Sequence, residues 1–435
     1  MKNRFRSVLS IAVGHIILWV LKTFRLGNGT SLPGYISLKL YPNLTQNLVS
    51  KNKLKVIFVA GTNGKTTTAM MIEELMKKLN FSVFRNSSGA NLMSGLTTTL
   101  LKKSSFRSLI QEEFAVLEVD ENILPLILKS ITPHQIVLTN LFRDQLDRYG
   151  EVDSIAKKWE SAFVKLSEKT TIIANGDDPL IAAITMNTKT QKKFYGITDS
   201  EMKLKHIGNS ADSHLCYACG ERLTYSSISY SHLGNWRCSN CGLSTPVTER
   251  FSPQTGLEGI HNSYNALAAQ TSLTALGKST EEIENLMTHF QPAFGRQELI
   301  PVGKKFVLLL LSKNPVSFNQ NLETAISKGH KDFLILLNNN HQDGLDISWI
   351  WDIDFEAYLN TDVNVWLSGE RAVDMAQRID NSSENTRQIS LKIPFQKSVV
   401  SSALQDVQEA GTLVAVTNYS AMLDLRHLLL GEKFT

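Results

Sequence analysis

Gly61-Thr62-Asn63-Gly64-Lys65-Thr66-Thr67-Thr68 follows directly on the apolar run Leu54-Lys55-Val56-Ile57-Phe58-Val59-Ala60. A buried strand that turns on glycine into a helix aims backbone N–H groups into one concavity, and such a concavity holds phosphate oxygens. In such a loop a lysine lays a mobile positive charge over the β- and γ-phosphates, and the hydroxyl after it ligates Mg²⁺. Lys65 and Thr66 are the candidates for those tasks, with Gly61, Thr62, Asn63, Gly64 and Thr67 completing a cradle for ATP. The general phosphate-loop pattern has glycine where this chain has Ala60. The competing reading is a glycine-rich turn without a ligand.

Carboxylates at strand ends come next. Glu118 lies near the end of the apolar run Phe114–Val119, and Asp120 and Glu121 follow it. A carboxylate emerging beside the phosphates suits a Mg²⁺ ligand, directly or through water; its other use is a helix N-cap. Later segments of the same kind read Thr139-Asn140-Leu141-Phe142-Arg143-Asp144-Gln145-Leu146-Asp147-Arg148-Tyr149-Gly150, then Asn175-Gly176-Asp177-Asp178-Pro179, His261-Asn262-Ser263-Tyr264-Asn265 and Phe294-Gly295-Arg296-Gln297-Glu298. All four cysteines share one window, Cys216-x2-Cys219, eighteen residues, then Cys238-x2-Cys241. Paired thiolates on two turns supply a closed tetrahedral zinc site with no open position, so its expected role is structural. Two disulfides are the alternative.

The elements that would position these groups alternate along the chain. Expected strands are Val56–Ala60, Ser82–Arg85, Phe114–Val119, Gln135–Leu141 and Thr171–Asn175, with helices at Thr66–Leu79, Ser154–Leu166 and Pro179–Met186. Such alternation predicts a largely parallel α/β sheet. Residues of about 202–251 are polar, hold the cysteines and read as an inserted ribbon. After a helix at Ala266–Leu276, a second α/β block begins, with strands at Phe306–Leu311, Phe333–Leu337, Val363–Leu367, Gln388–Ile393 and Leu413–Thr417. Its expected helices are Asn319–Lys328, Ala372–Ile379, Val400–Glu409 and Ser420–Leu430. Its topology class is Rossmann-like, and it has no phosphate loop of its own.

With 435 residues and 42% hydrophobic content, the chain can bury two or three cores. A balance of 45 basic against 41 acidic residues gives no nucleic-acid footprint by charge, and Leu215–Thr248 holds only Arg222 and Arg237 against Glu221. The apolar run Val8–Leu21 follows Lys2, Arg4 and Arg6, without a small-residue cleavage site after it, and is shorter than the ~20 residues of a spanning helix. It reads as a helix packed on the protein or as one lying on the inner membrane face with basic groups on anionic lipid; either way the chain is expected in the cytoplasm.

Taken in order, the phosphate loop, the strand-end Glu118, Thr139-Asn140 through Gly150, Asn175–Pro179, His261–Asn265 and Gly295–Glu298 resemble the ATP-dependent Mur ligase family over residues 54–298. That family joins an amine to a carboxylate through an acyl phosphate. The resemblance implies a central ATP-binding domain at 54–298, with Lys65 and Thr66 on phosphate and metal and Glu118 on Mg²⁺. It further implies that Asn175 and Asp178 approach the nucleotide, Asn262 its adenine side, and Arg296 the phosphates near a hinge to a C-terminal domain, 299–435. Two departures narrow it. Gln145 stands where peptide-adding members carry a histidine, leaving the second metal ligand unassigned, and the 53 residues of the N-terminal helical segment are too few for a UDP-binding domain.

These departures and the zinc ribbon are similar to the MurT family, the Mur-ligase-like subunit of lipid II isoglutaminyl synthase. The resemblance implies amidation of the D-glutamate α-carboxyl on a lipid-linked peptidoglycan precursor, in a heterodimer with a GatD-like glutaminase. Glutamine hydrolysis needs a nucleophilic thiolate, and all four thiols here are assigned to zinc, so ammonia would come from that partner. The family's ligase subunit lends the glutaminase an aspartate. Gln342-Asp343-Gly344-Leu345-Asp346-Ile347-Ser348-Trp349-Ile350-Trp351-Asp352 is the candidate region, with Asp346 first and Asp343 and Asp352 in reserve. Acidic helix caps beside core tryptophans are the plainer reading. A folylpolyglutamate synthase-like or other amino-acid ligase of the same superfamily is the rival function; it would need no partner.

Overall fold

The computed structural model describes residues 2–24, 29–87, 89–143, 152–197, 211–246, 249–251, 256–290, 296–340, 343–344, 346–359, 363–382, 389–392 and 397–431. Strands β1 (Lys55–Ala60), β2 (Val83–Arg85), β3 (Phe114–Glu118), β4 (Gln135–Leu138), β5 (Thr171–Asn175), β6 (Gln191–Ile197) and β9 (Glu249–Phe251) form one sheet in the order β2-β3-β1-β4-β5-β6-β9. Every pair in it is parallel. Parallel strands are covered on both faces and therefore read as continuous apolar runs. Alternation along β1 shows both faces at work: Val56, Phe58 and Ala60 join Leu96, Leu100 and Trp159 in one core, while Ile57 and Val59 join Met71, Ile72 and Leu267 in another.

The five strands expected from the sequence in this block are present, with β4 ending three residues early. Its chain leaves the ladder at Thr139 because the next side chains turn to brace the glycine-rich loop. Strands β6 and β9 were not expected. β9 lies inside the segment read as a polar insertion, yet it pairs with Tyr195–Ile197 at the edge of the large sheet. What remains of the insertion among the described residues is the antiparallel hairpin of β7 (Leu223–Tyr230) and β8 (Leu233–Cys238) beside the cysteines.

Strands β10 (Arg296–Val302), β11 (Lys305–Leu311), β12 (Asp332–Leu336), β13 (Asn364–Ser368), β14 (Ile389–Lys392) and β15 (Thr412–Thr417) make a second sheet in the order β10-β11-β15-β12-β13-β14. Only β10 runs antiparallel to its neighbour. The helix Pro315–Ser327 begins four residues before its expected start. Asn314 accepts from Ser317 N at 2.9 Å while Ser317 Oγ accepts from Asn314 N at 3.2 Å, a capping box with proline in the first turn. At the N-terminus three helices, Lys2–Thr23, Leu32–Leu40 and Leu44–Lys51, pack on one another and on Met93–Lys103.

Candidate functional site

Sheet order brings the candidates together. β3, β1, β4 and β5 are neighbours, so the chain beyond their carboxyl ends shares one rim. Connections after β1 and after β4 leave in opposite directions, which opens the crevice where α/β sheets take ligands. The loop Gly61–Gly64 fills that position, and the helix Lys65–Lys78 leads away from it. Gly64 has a φ of +84°, and a Cβ there would come within 2.1 Å of Asn265 Oδ1. Only glycine permits both the left-handed turn and that approach.

Neighbouring strand ends hold the loop's shape. Asn140 Oδ1 accepts from Asn63 N at 2.8 Å and Thr139 Oγ1 donates to Asn63 O at 2.8 Å, while Thr62 Oγ1 accepts from Phe142 N at 3.0 Å. Lys65 is buried: Nζ donates to Gly61 O at 2.5 Å and Thr62 O at 3.3 Å, and it pairs with Glu121 Oε1 at 3.1 Å. Thr66 Oγ1 donates to Glu118 Oε2 at 2.8 Å, so the hydroxyl and carboxylate proposed for Mg²⁺ already converge. The pairing follows from register, since Glu118 lies opposite Val59. Asn86 clamps Glu118 from both sides of its backbone, accepting from Glu118 N at 2.8 Å and donating to Glu118 O at 3.0 Å. A hydroxyl and a carboxylate of this kind are hard oxygen donors suited to Mg²⁺, which keeps most of its shell as water and phosphate.

Three of the other candidates are committed to bonds within the protein. Asn175 donates to Thr139 O at 3.0 Å. Asp178 has no exposed surface: Oδ1 caps the helix Pro179–Met186 through Leu180 N and Ile181 N, and Oδ2 accepts from Leu141 N at 2.9 Å. Its reach toward a nucleotide therefore runs through the loop Thr139–Phe142 that it anchors. Asn262 accepts from Asn265 Nδ2 at 3.1 Å, and Asn265 in turn accepts from Thr68 Oγ1 at 3.2 Å, tying the helix Ile260–Ala275 to the loop helix. Arg296 opens β10 opposite Leu310. The Gln145 position lies outside the described residues. Glu121, Asn86 and Asn265 join the candidate residues only in the structure; the carboxylate of Glu121, three residues beyond Glu118, is the signal visible in the sequence.

A second contact crosses between the sheets. The side-chain amides of Asn63 and Asn314 exchange hydrogen bonds, 3.3 Å one way and 3.0 Å the other, joining the loop to the cap of Pro315–Ser327. Arg143 bonds Asp212 through its Nε and reaches Asp352 Oδ2 at 3.4 Å. Asp343 is buried, its oxygens taking Ser420 N at 2.9 Å and Ser420 Oγ at 2.5 Å at the start of the helix Tyr419–Leu430. Asp346 is half-buried and accepts from Ser348 N at 2.8 Å.

The four cysteine sulfurs all lie within 4.8 Å of one another, with Cys216–Cys241 at 3.6 Å and Cys219–Cys238 at 3.5 Å. A disulfide needs ~2.05 Å, whereas a tetrahedral ion with ~2.3 Å zinc–sulfur bonds sets sulfurs ~3.8 Å apart. The two arms repeat one turn: Gly220 N donates to Cys216 O and Gly242 N to Cys238 O, and both glycines have a φ of +77°. Backbone N–H groups of Cys241 and Asn240 draw the Cys238 thiol down to about 7, while burial pushes Cys216 up to about 12. A cation at the centre would deprotonate the second as it binds. Trp236, Leu223 and Ala182 pack behind the cluster.

Residues 59–273 match the Mur ligase middle domain family, and residues 311–422 match the MurT ligase C-terminal family. Among curated proteins, the chain is 32% identical to the lipid II isoglutaminyl synthase (glutamine-hydrolyzing) subunit MurT of Streptococcus pneumoniae, over 98% of this chain and 97% of that one. It is 29% identical to the Staphylococcus aureus protein of the same name, over 91% of each. Solved structures with the same fold include a pseudomurein peptide ligase type C from Methanothermus fervidus, TM-score 0.66 at 20% identity, covering 89% of this chain and 80% of that one. Another is MurF ligase from Thermotoga maritima in complex with ADP, TM-score 0.62 at 15% identity, covering 88% and 81%.

Proposed function

The chain belongs to the MurT family of Mur-type ligases, and on that premise we propose that it amidates the D-glutamate α-carboxyl of the lipid II stem peptide to D-isoglutamine, in peptidoglycan synthesis. Likeness over nearly the whole length to subunits named for this reaction carries the reading. The cluster of Lys65, Thr66, Glu118 and Glu121 supports it, being the equipment for ATP-dependent activation of an acid.

A carboxylate is a poor electrophile because its leaving group would be oxide. An oxygen of the substrate carboxylate attacks the γ-phosphorus of ATP, the bond to ADP breaks, and an acyl phosphate forms. Ammonia then adds to the acyl carbon, inorganic phosphate leaves with its oxygen, and a proton is lost to give the amide. The loop Gly61–Thr67 binds the phosphates, and Lys65 offsets charge that grows on the transferring group. Thr66 and Glu118 would hold Mg²⁺, which supplies charge neutralisation as a Lewis acid. Asn175, Asp178, Asn262 and Arg296 line or brace the nucleotide side in this reading. The divisions are a helical segment at 1–53, a central domain at 54–298 and a C-terminal domain at 299–435.

Zinc on Cys216, Cys219, Cys238 and Cys241 has a structural role here. With every thiol in that cluster, the ammonia comes from a glutaminase subunit, a GatD-like partner, whose catalytic histidine Asp346 orients. The setting is the cytoplasm, where ATP is supplied. Purified chain and partner, given lipid II, ATP and glutamine, should add one amide per stem peptide by mass spectrometry. The chain alone should do so only with ammonium. Glutamine-dependent turnover without a partner, or transfer of a free amino acid in place of ammonia, would overturn the proposal.

A further inference from the structure

The N-terminal helix Lys2–Thr23 is built inside out. Toward the protein it turns Ser7, Ser10, Ile11 and Gly14, all buried. Ser10 Oγ donates to Ser37 O at 2.7 Å and Ser37 Oγ returns a bond to Ser10 O at 3.1 Å. A Cβ on Gly14 would meet Ser37 Oγ at 2.7 Å and Leu101 Cδ1 at 2.8 Å. Toward the outside, Phe5, Leu9, Ile16 and Trp19 are 44–71% exposed. With the small, partly exposed Ala12 between them, their spacings of four, three, four and three residues keep them on one stripe. A helix on the surface of a water-soluble protein has the reverse arrangement. Leu32 and Tyr35 of the adjoining helix Leu32–Leu40, which packs on this one, are also half exposed, with Lys39 Nζ 4.6 Å over the Tyr35 ring.

Charge identifies what covers it. Residues 1–53 hold eight lysines and arginines and no aspartate or glutamate. Of the chain's 45 basic and 41 acidic residues, the other 382 positions therefore hold 37 and 41, so the excess positive charge sits in this segment. We propose that the stripe Phe5–Trp19, with Leu32 and Tyr35, docks on the surface of an anionic lipid bilayer, with Arg6, Lys22 and Lys39 at headgroup level. Large apolar and aromatic side chains ringed by lysine and arginine are the composition of an interfacial helix. The helix extends beyond the run Val8–Leu21 expected from the sequence, so that Phe5–Thr23 is, by length and composition, long and apolar enough to cross a membrane, but its serine and glycine face is already bonded to the protein, and a span would break those contacts. Two copies pairing through the stripe would bring two such positive segments together. The proposal deepens the reading of a lipid-linked substrate, and its test needs neither substrate nor turnover.

The test is co-sedimentation of the full chain with vesicles of phosphatidylglycerol and phosphatidylcholine, against phosphatidylcholine alone, without ATP or precursor. Binding is expected to the anionic vesicles and to fall with salt. Ile16→Glu and Trp19→Glu should weaken it more than tenfold with an unchanged melting temperature. Should either variant fold poorly, Lys22→Gln and Lys39→Gln leave the stripe intact and should each weaken binding about fivefold. Equal binding to neutral vesicles, full binding by all four variants, or a vesicle-free dimer broken by the same glutamates would overturn the proposal.

Discussion

Lys65 Nζ stands 3.1 Å from Glu121 Oε1, and both side chains are less than one-tenth exposed. A buried pair broken on one side leaves an uncompensated charge, at a cost of about 3–5 kcal/mol. Lys65→Met is expected to lower stability in urea unfolding and to cut ATP turnover by at least ~10²-fold. Lys65→Met with Glu121→Gln should recover most of the stability and none of the turnover. Recovery of turnover in the double variant would mean that Lys65 serves only to neutralise Glu121.

Glu118 makes a separable prediction, because its partner is the Thr66 hydroxyl at 2.8 Å rather than the lysine. Glu118→Gln keeps the shape and the bond but removes the charge that attracts Mg²⁺. The Mg²⁺ concentration for half-maximal ATP hydrolysis should rise at least tenfold, with a melting temperature near that of the parent. An unchanged Mg²⁺ requirement would leave Glu118 as a brace for the loop helix.

Much of this site was readable from residue order, and the reason is local. A glycine loop, its lysine and its hydroxyl are contiguous, and the strand before them is a continuous apolar run because the sheet is covered on both faces. Glu118 was readable because strand ends in such sheets point at the ligand crevice. The partners of Glu121, Asn86 and Asn140 were not, since they are set by strand register and by loops meeting across 32 to 77 residues of chain. β9 was hidden for the same reason: three residues carry too little pattern to declare an edge strand. Length and composition exposed the N-terminal helix, but which face it buries depended on Ser37 and Leu101, and only the packed structure supplies them.

The cysteine cluster predicts a metal-dependent fold. Its sulfurs are too far apart for disulfides, and Trp236 and Cys238 are buried against Leu223 and Ala182. Purified chain should carry about one zinc, as four thiolates in a closed site do. Cys238→Ser, or a strong chelator with heating, should release the metal and lower the melting temperature in the same step. Metal loss without any change in melting would remove the structural role.

Asp343 and Asp346 lie three residues apart and have opposite commitments. Asp343 is buried, its oxygens taking Ser420 N, Ser420 Oγ and Asn340 N, whereas Asp346 accepts from nearby Ser348 N and is only partly buried. A carboxylate that orients a partner's histidine has to be reachable from outside the chain. Asp346→Asn should therefore lower glutamine-dependent turnover of the assembled complex by ~10²-fold or more, as loss of an orienting carboxylate does. Ammonium-dependent turnover and the melting temperature should stay at parent values. Asp343→Asn is expected to do the reverse, costing about 1–3 kcal/mol of stability through its broken bonds to Ser420. Loss of glutamine use in Asp343→Asn with full stability, beside normal glutamine use in Asp346→Asn, would exchange the two assignments.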